Sequence, residues 1–190
     1  MQYIGLASQI RKNNSNSFLL LIAFPVLLLG MCYAILFFSS EQDIDTANQY
    51  FIQTIPFVLA GVAIWFLIAW AGHNVFIKLS TGAKSLERKE NKRVYNLLEN
   101  ICISQGMKMP KLNIVDDDSL NAFASGINDR SYAISLSSGI INKLDDDELE
   151  GVLAHELTHI RNRDVRLLII SIIFVGIFSF IAEMAFRGIR

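Results

Sequence analysis

Cysteine is nearly absent from the chain: Cys32 lies inside an apolar run and Cys102 far away in a polar region, and there is no third. Two such distant thiols give no basis for a disulfide framework and are compatible with a reducing, cytoplasmic face. Histidine is almost as scarce, with three copies in 190 residues. A basic excess is missing too: 17 Lys and Arg stand against 18 Asp and Glu, for a formal net charge of −1. That balance lacks the electrostatic footprint of a nucleic-acid binder. No internal repeat or low-complexity segment is present. What abounds is apolar: 52% of residues are hydrophobic and the mean hydropathy is +0.38. This is too apolar for an ordinary soluble domain, and the excess is gathered into a few runs, as membrane spans require.

The first 17 residues form a polar arm carrying Arg11 and Lys12. Phe18 to Phe38 is uncharged and long enough to cross a bilayer core of about 30 Å. It exceeds the apolar stretch of a secretory signal, and no small-residue cleavage site follows, so it reads as a retained span. Ser39 to Thr54 holds Glu41, Asp43 and Asp45 but no basic residue. Ile55 to Gly72 is the second apolar run, with Pro56 expected in its first turn. Beyond it come Lys78, Lys84, Arg88, Lys89, Lys92 and Arg93. This basic–acidic–basic order places the N-terminus and the region after residue 73 in the cytoplasm. His73 reads as an interfacial aromatic rather than a ligand. Residues 86–105 are spaced for an amphipathic helix ended by Gly106. Lys111–Val115, Asn121–Ala124 and Tyr132–Leu136 read as short strands, the last two forming a small antiparallel ribbon. Asp116, Asp117 and Asp118 lack the spacing and glycine of a calcium loop and read as a solvated turn. Leu167 to Phe186 is a third apolar run, interrupted by Glu183. Its flanking Arg187 and Arg190 run against the charge rule, so a peripheral or re-entrant helix competes with a full span.

Two of the three histidines stand in Val152-Leu-Ala-His155-Glu156-Leu-Thr-His159-Ile160. On a helix, positions i and i+4 are neighbours about 5–6 Å apart at Cβ, so both imidazoles can meet one cation. Glu156 lies off the histidine stripe and can reach a water without ligating the metal. This suits a zinc hydrolase with His155 and His159 as ligands and Glu156 as general base. Asp145 is the expected N-cap, with Glu148 completing a capping box. Leu149, Val152, Leu153, Leu157 and Ile160 make an apolar arc beside the histidines, and Arg161 and Arg163 close the helix. The bare five-residue pattern also arises by chance on amphipathic helices; the caps and the scarcity of histidine favour a metal site here.

The segments Gly82-Ala83, Met109-Pro110-Lys111, Asn121-Ala-Phe-Ala-Ser-Gly126, Ser138-Gly139-Ile140, Asp147-Glu148-Leu149, His155-Glu-Leu-Thr-His159 and Arg163-Asp164 occur in this order. In that combination the chain resembles the HtpX-type heat-shock membrane metalloproteases, relatives of the CAAX prenyl proteases. The resemblance implies an inner-membrane zinc endopeptidase facing the cytoplasm, acting on misfolded or damaged membrane proteins or unfolded polypeptides. It implies that Asn121, Ala122, Phe123 and Ala124 line the substrate cleft, where an extended peptide adds as a strand. It also implies a third zinc ligand, a glutamate beyond a further membrane segment. Within the chain only Asp164 and Glu183 follow His159, and Glu183 sits too near the far end of an apolar run to serve. The 190 residues are therefore expected to be an incomplete, inactive portion of a protease. Asp164 has two readings: hydrogen-bonding behind a ligand, or a structural role at the helix end.

The expected architecture is an α+β membrane protein. It comprises an arm (1–17), a transmembrane hairpin (18–72), a cytoplasmic zincin-like half-domain with the β-ribbon (73–166) and a third apolar helix (167–190). A homo-oligomer is compatible with this plan. A catalytically silent membrane scaffold that keeps the protease fold is the alternative; zinc storage fits poorly, since two histidines without thiolates make a weak site.

Overall fold

The computed structural model describes residues 6–41 and 43–188. Residues 1–5 of the arm, Gln42, and Ile189 and Arg190 of the last segment lie outside them. The arm is not a separate element: α1 (Leu6–Ser39) begins within it and continues through the first apolar run. Asp43 decides where α2 (Ile44–Thr81) starts. Its carboxylate accepts from the Thr46 amide at 3.3 Å, and its carbonyl accepts from the Ala47 amide at 3.0 Å. The acidic loop expected at 39–54 is thereby reduced to a turn, and Pro56 falls in the interior of α2 rather than in a first turn.

Two compact units are present. One contains residues 15–71 and 170–188. Its core joins Phe24 and Leu28 of α1 to Ile170, Phe174 and Ile177 of α6 (Asp164–Gly188). The Phe24 and Phe174 rings stack with centroids 4.3 Å apart, and Trp65 Nε1 of α2 donates to the Ile173 carbonyl at 3.4 Å. Leu19, Ile22, Val26, Phe57, Leu67 and Ile68 point outward. Helices apolar all round suit a protein core or a membrane, and Ala7–Ser39 and Ile44–Thr81 are long and apolar enough to cross a membrane.

The other unit contains residues 6–14 and 72–169. Its four-stranded sheet runs in the order β1 (Lys84–Ser85), β2 (Lys111–Val115), β4 (Ala133–Ser137), β3 (Ala122–Ser125). The expected antiparallel ribbon is the β3–β4 pair, with Phe123 opposite Ser135. It belongs to a larger mixed sheet, because β2 pairs parallel to β4 and antiparallel to β1. The alternation along β4 sorts its two faces. Ile134 and Leu136 enter a core with Val94, Leu98 and Ile101 of α3 (Lys92–Ser104) and Leu149, Leu153 and Leu157 of α5 (Asp146–Asn162). Ser135 turns the other way, accepting from Asn113 Nδ2 at 3.4 Å. The amphipathic helix is shorter than expected because Asn91 caps it, its side chain accepting from the Val94 amide at 3.1 Å.

Candidate metal centre

Local sequence fixes the helix that carries the site. The Asp145 carboxylate accepts from the Glu148 amide at 2.9 Å, and Glu148 Oε2 accepts from the Asp145 amide at 3.1 Å. Two otherwise orphaned donors are thus satisfied reciprocally, and Asp146, Asp147 and Glu148 in the first turn complement the helix dipole. Arg93 adds an outside clamp, reaching Asp146 at 2.5 Å and the carbonyls of Ile141 and Leu144 at 2.9 and 2.7 Å. The spacing 149, 153, 156, 157, 160 then makes one buried stripe on α5. Glu156 is the single charged member of that stripe, 9% exposed. Among the described residues its carboxylate has no hydrogen-bond partner, and it lines a cavity of about 350 Å³.

The two histidines stand one turn apart on the neighbouring face, His155 exposed and His159 half-buried. Their Nε2 atoms converge to 3.1 Å, with ring planes at 85°. Two nitrogens on one tetrahedral zinc ion, each about 2.0–2.1 Å from it, would be about 3.3 Å apart. The pair thus has the spacing of two ligands. Its donor chemistry fits as well: His159 Nδ1 lies 2.9 Å from Asp164 Oδ2. A carboxylate only accepts, so the proton belongs on Nδ1 and the lone pair on Nε2, where an ion would need it. Among the described residues, no third His, Cys, Asp or Glu side chain joins the two histidines in an arrangement that could hold a metal ion. Glu183 is paired with Arg187 on its own helix.

Beside Glu156 and His159, the cavity is lined by Ala122, Phe123 and Ala124 of β3 and by Asp164, Val165 and Leu168 of α6. Asn121, the fourth residue expected to line the cleft, is outside this cavity and outside the strand. Its amide donates to Ser137 Oγ at 3.1 Å and its carbonyl accepts from the Ser137 amide at 3.0 Å. Val165 and Leu168 carry no local signal of a site, because the apolar run starting at Leu167 reads in sequence only as a membrane segment. β3 is the last strand of the sheet order, so among the described residues one of its edges is unpaired, and its residues line the cavity.

A "Protease HtpX homolog" from Bacteroides fragilis is 57% identical across all of this chain and 62% of its own length. The homologue of that name from Lactobacillus helveticus is 33% identical over 97% of this chain and 59% of its own. The chain therefore spans about three fifths of the length of these curated relatives. A crystal structure of S. mikatae Ste24p aligns over 87% of this chain and 36% of that one, with TM-score 0.44 and 25% identity. The sequence pattern of Peptidase family M48 matches residues 88–188, more than half the chain and all of the histidine helix. The chain belongs to peptidase family M48.

Proposed function

We propose that the chain carries the metal-binding and proton-transfer groups of a membrane-anchored zinc endopeptidase acting on unfolded or damaged membrane proteins. The observation that carries this reading is the convergence of His155 and His159 Nε2 at 3.1 Å beside an unpaired, largely buried Glu156 on a cavity wall. His155 and His159 would hold the zinc ion. When bound, zinc acidifies water and polarises the scissile carbonyl. Glu156 takes a proton from the attacking water and delivers it to the departing amide nitrogen as the C–N bond breaks. Its burial on an apolar stripe, with no hydrogen-bond partner among the described residues, keeps the carboxylate available for that exchange. The free edge of β3 supports an extended substrate that adds as a strand, with Ala122, Phe123 and Ala124 beside the scissile bond. The two apolar helices support anchorage in the plasma membrane, and the flanking charges support a cytoplasmic site.

The test compares wild type with Glu156→Gln, in this chain and in a form extended to the relatives' length. Zinc content and cleavage of an unfolded membrane protein are both measured. The glutamine keeps the size but cannot accept the proton, so zinc stays bound while hydrolysis falls by about 10²–10⁴-fold. Undiminished hydrolysis in the variant would remove Glu156 from this role. Absence of hydrolysis in both wild-type forms would favour the scaffold.

A further inference from the structure

On an uninterrupted helix, residue 164 would lie 500° of rotation beyond residue 159, or 140° around the axis at 100° per residue. It could not touch the same imidazole. The contact exists because the helix breaks first. Arg163 adopts the left-handed conformation, φ 60° and ψ 20°, with its amide donating to the Ile160 carbonyl at 3.1 Å. A new helix then starts at Asp164. A non-glycine residue in this region is strained, and what the kink achieves locally is to bring Asp164 Oδ2 to 2.9 Å from His159 Nδ1. The other oxygen, Oδ1, is buried and has no hydrogen-bond partner among the described residues. Among the described residues, the carboxylate's hydrogen-bond partner is thus the imidazole.

We infer that Asp164, turned inward by the left-handed Arg163, is a positioning residue that fixes His159 as the Nδ1–H tautomer with its Nε2 lone pair directed at the metal. This inference rests on the metal-site part of the proposed function and not on hydrolysis. It selects between the two sequence readings of Asp164, and gives Arg163 a role unrelated to its charge. Groups placed this way behind a metal ligand typically change affinity by about 10–100-fold when removed.

The test uses the 190-residue chain in detergent, without metal, with nitrogen-15-labelled histidine. Ring-nitrogen shifts at a pH above the imidazole range report which nitrogen carries the proton. In the wild type, His159 should be the Nδ1–H tautomer. In Asp164→Ala it should shift towards Nε2–H, and zinc affinity should fall about 10–100-fold. Arg163→Gly accepts the left-handed conformation and should keep both properties. Arg163→Ile resists that conformation and should reproduce the loss although Asp164 is still present. A wild-type His159 already protonated on Nε2 would overturn the inference without any variant, whether or not Asp164→Ala folds. So would an unchanged tautomer and zinc affinity in a folded Asp164→Ala. Because no readout is catalytic, a chain that binds zinc in this way but hydrolyses nothing would count against the peptidase reading alone.

Discussion

Asp145 and Glu148 hold each other's backbone amides, at 2.9 and 3.1 Å, at the start of the histidine helix. The pair satisfies two of the donors that a helix start leaves open. Both residues are exposed, so replacement disturbs little packing. Asp145→Ala should therefore lower stability by about 1 kcal/mol, seen as a shift in the denaturant midpoint at constant slope. A variant indistinguishable from wild type would mean that Arg93 alone holds this end.

Gly139 sits at a close backbone approach. A methyl group there would fall 2.1 Å from the Asp118 carbonyl oxygen and 2.6 Å from that of Ser119. Backbone cannot swing aside as a flexible side chain can. Nearby, the Gly139 amide donates to the Asp117 carbonyl at 2.9 Å, and Ser138 Oγ donates to the same carbonyl at 3.0 Å. Gly139→Ala should push the acidic turn away from α4 (Ser138–Lys143) and cost about 1–3 kcal/mol. A midpoint equal to wild type would show that the turn yields freely.

Both sites bear on what a linear chain makes legible. The caps of α5 and its apolar stripe depend on residues at most a few positions apart, so Asp145, Glu148, Leu149 and Leu153 announce the helix through local pattern alone. The parallel β2–β4 pairing depends on a crossover, and β1 is a two-residue strand defined only by Lys84 and Ser85 finding Ile114 and Asn113. Neither leaves a local pattern. The His159–Asp164 contact is only one of two readings open in the sequence for a different reason: helical periodicity opposes it, and the break that permits it falls on an arginine rather than a glycine. The early start of α2 is signalled by Asp43, whose capping role is masked because it also reads as one of several loop charges.

Cys102 is 2% exposed, and burial pushes its thiol pKa up. Tyr132 is raised mainly by burial as well, opposed by Arg163 and Arg166 and reinforced by Asp129. In both, the folded state favours the protonated form. Their contribution to stability is complete below the unfolded pKa and is lost as pH rises through the folded one. Stability should thus show no loss from these two groups at neutral pH and should begin to fall above about pH 8.5. Cys102→Ala should make that first alkaline decline shallower, although the variant starts from a lower stability because it leaves a small cavity. Parallel denaturant midpoints for wild type and variant from neutral pH to about pH 10 would refute a role for the thiol.

The orientation of the two long helices is open to a direct test. Arg11 and Lys12 precede the first apolar run, Lys78 to Arg93 follow the second, and Glu41, Asp43 and Asp45 lie between. Cytoplasmic segments are enriched in Lys and Arg near span ends, so the Asp45 side should be external and the Lys89 side internal. Both positions are exposed, and single cysteines at each can be probed with a membrane-impermeant maleimide in sealed cells. Cys102 is buried and Cys32 lies within an apolar helix, so neither should compete strongly with the introduced thiols. Label is expected on Asp45→Cys in intact cells, and on Lys89→Cys only after the membrane is opened. Labelling of Lys89→Cys in sealed cells would place the histidine helix outside. The charge argument and a cytoplasmic peptidase site would then fall together, while the geometry of His155, His159 and Asp164 would remain to be explained by another activity.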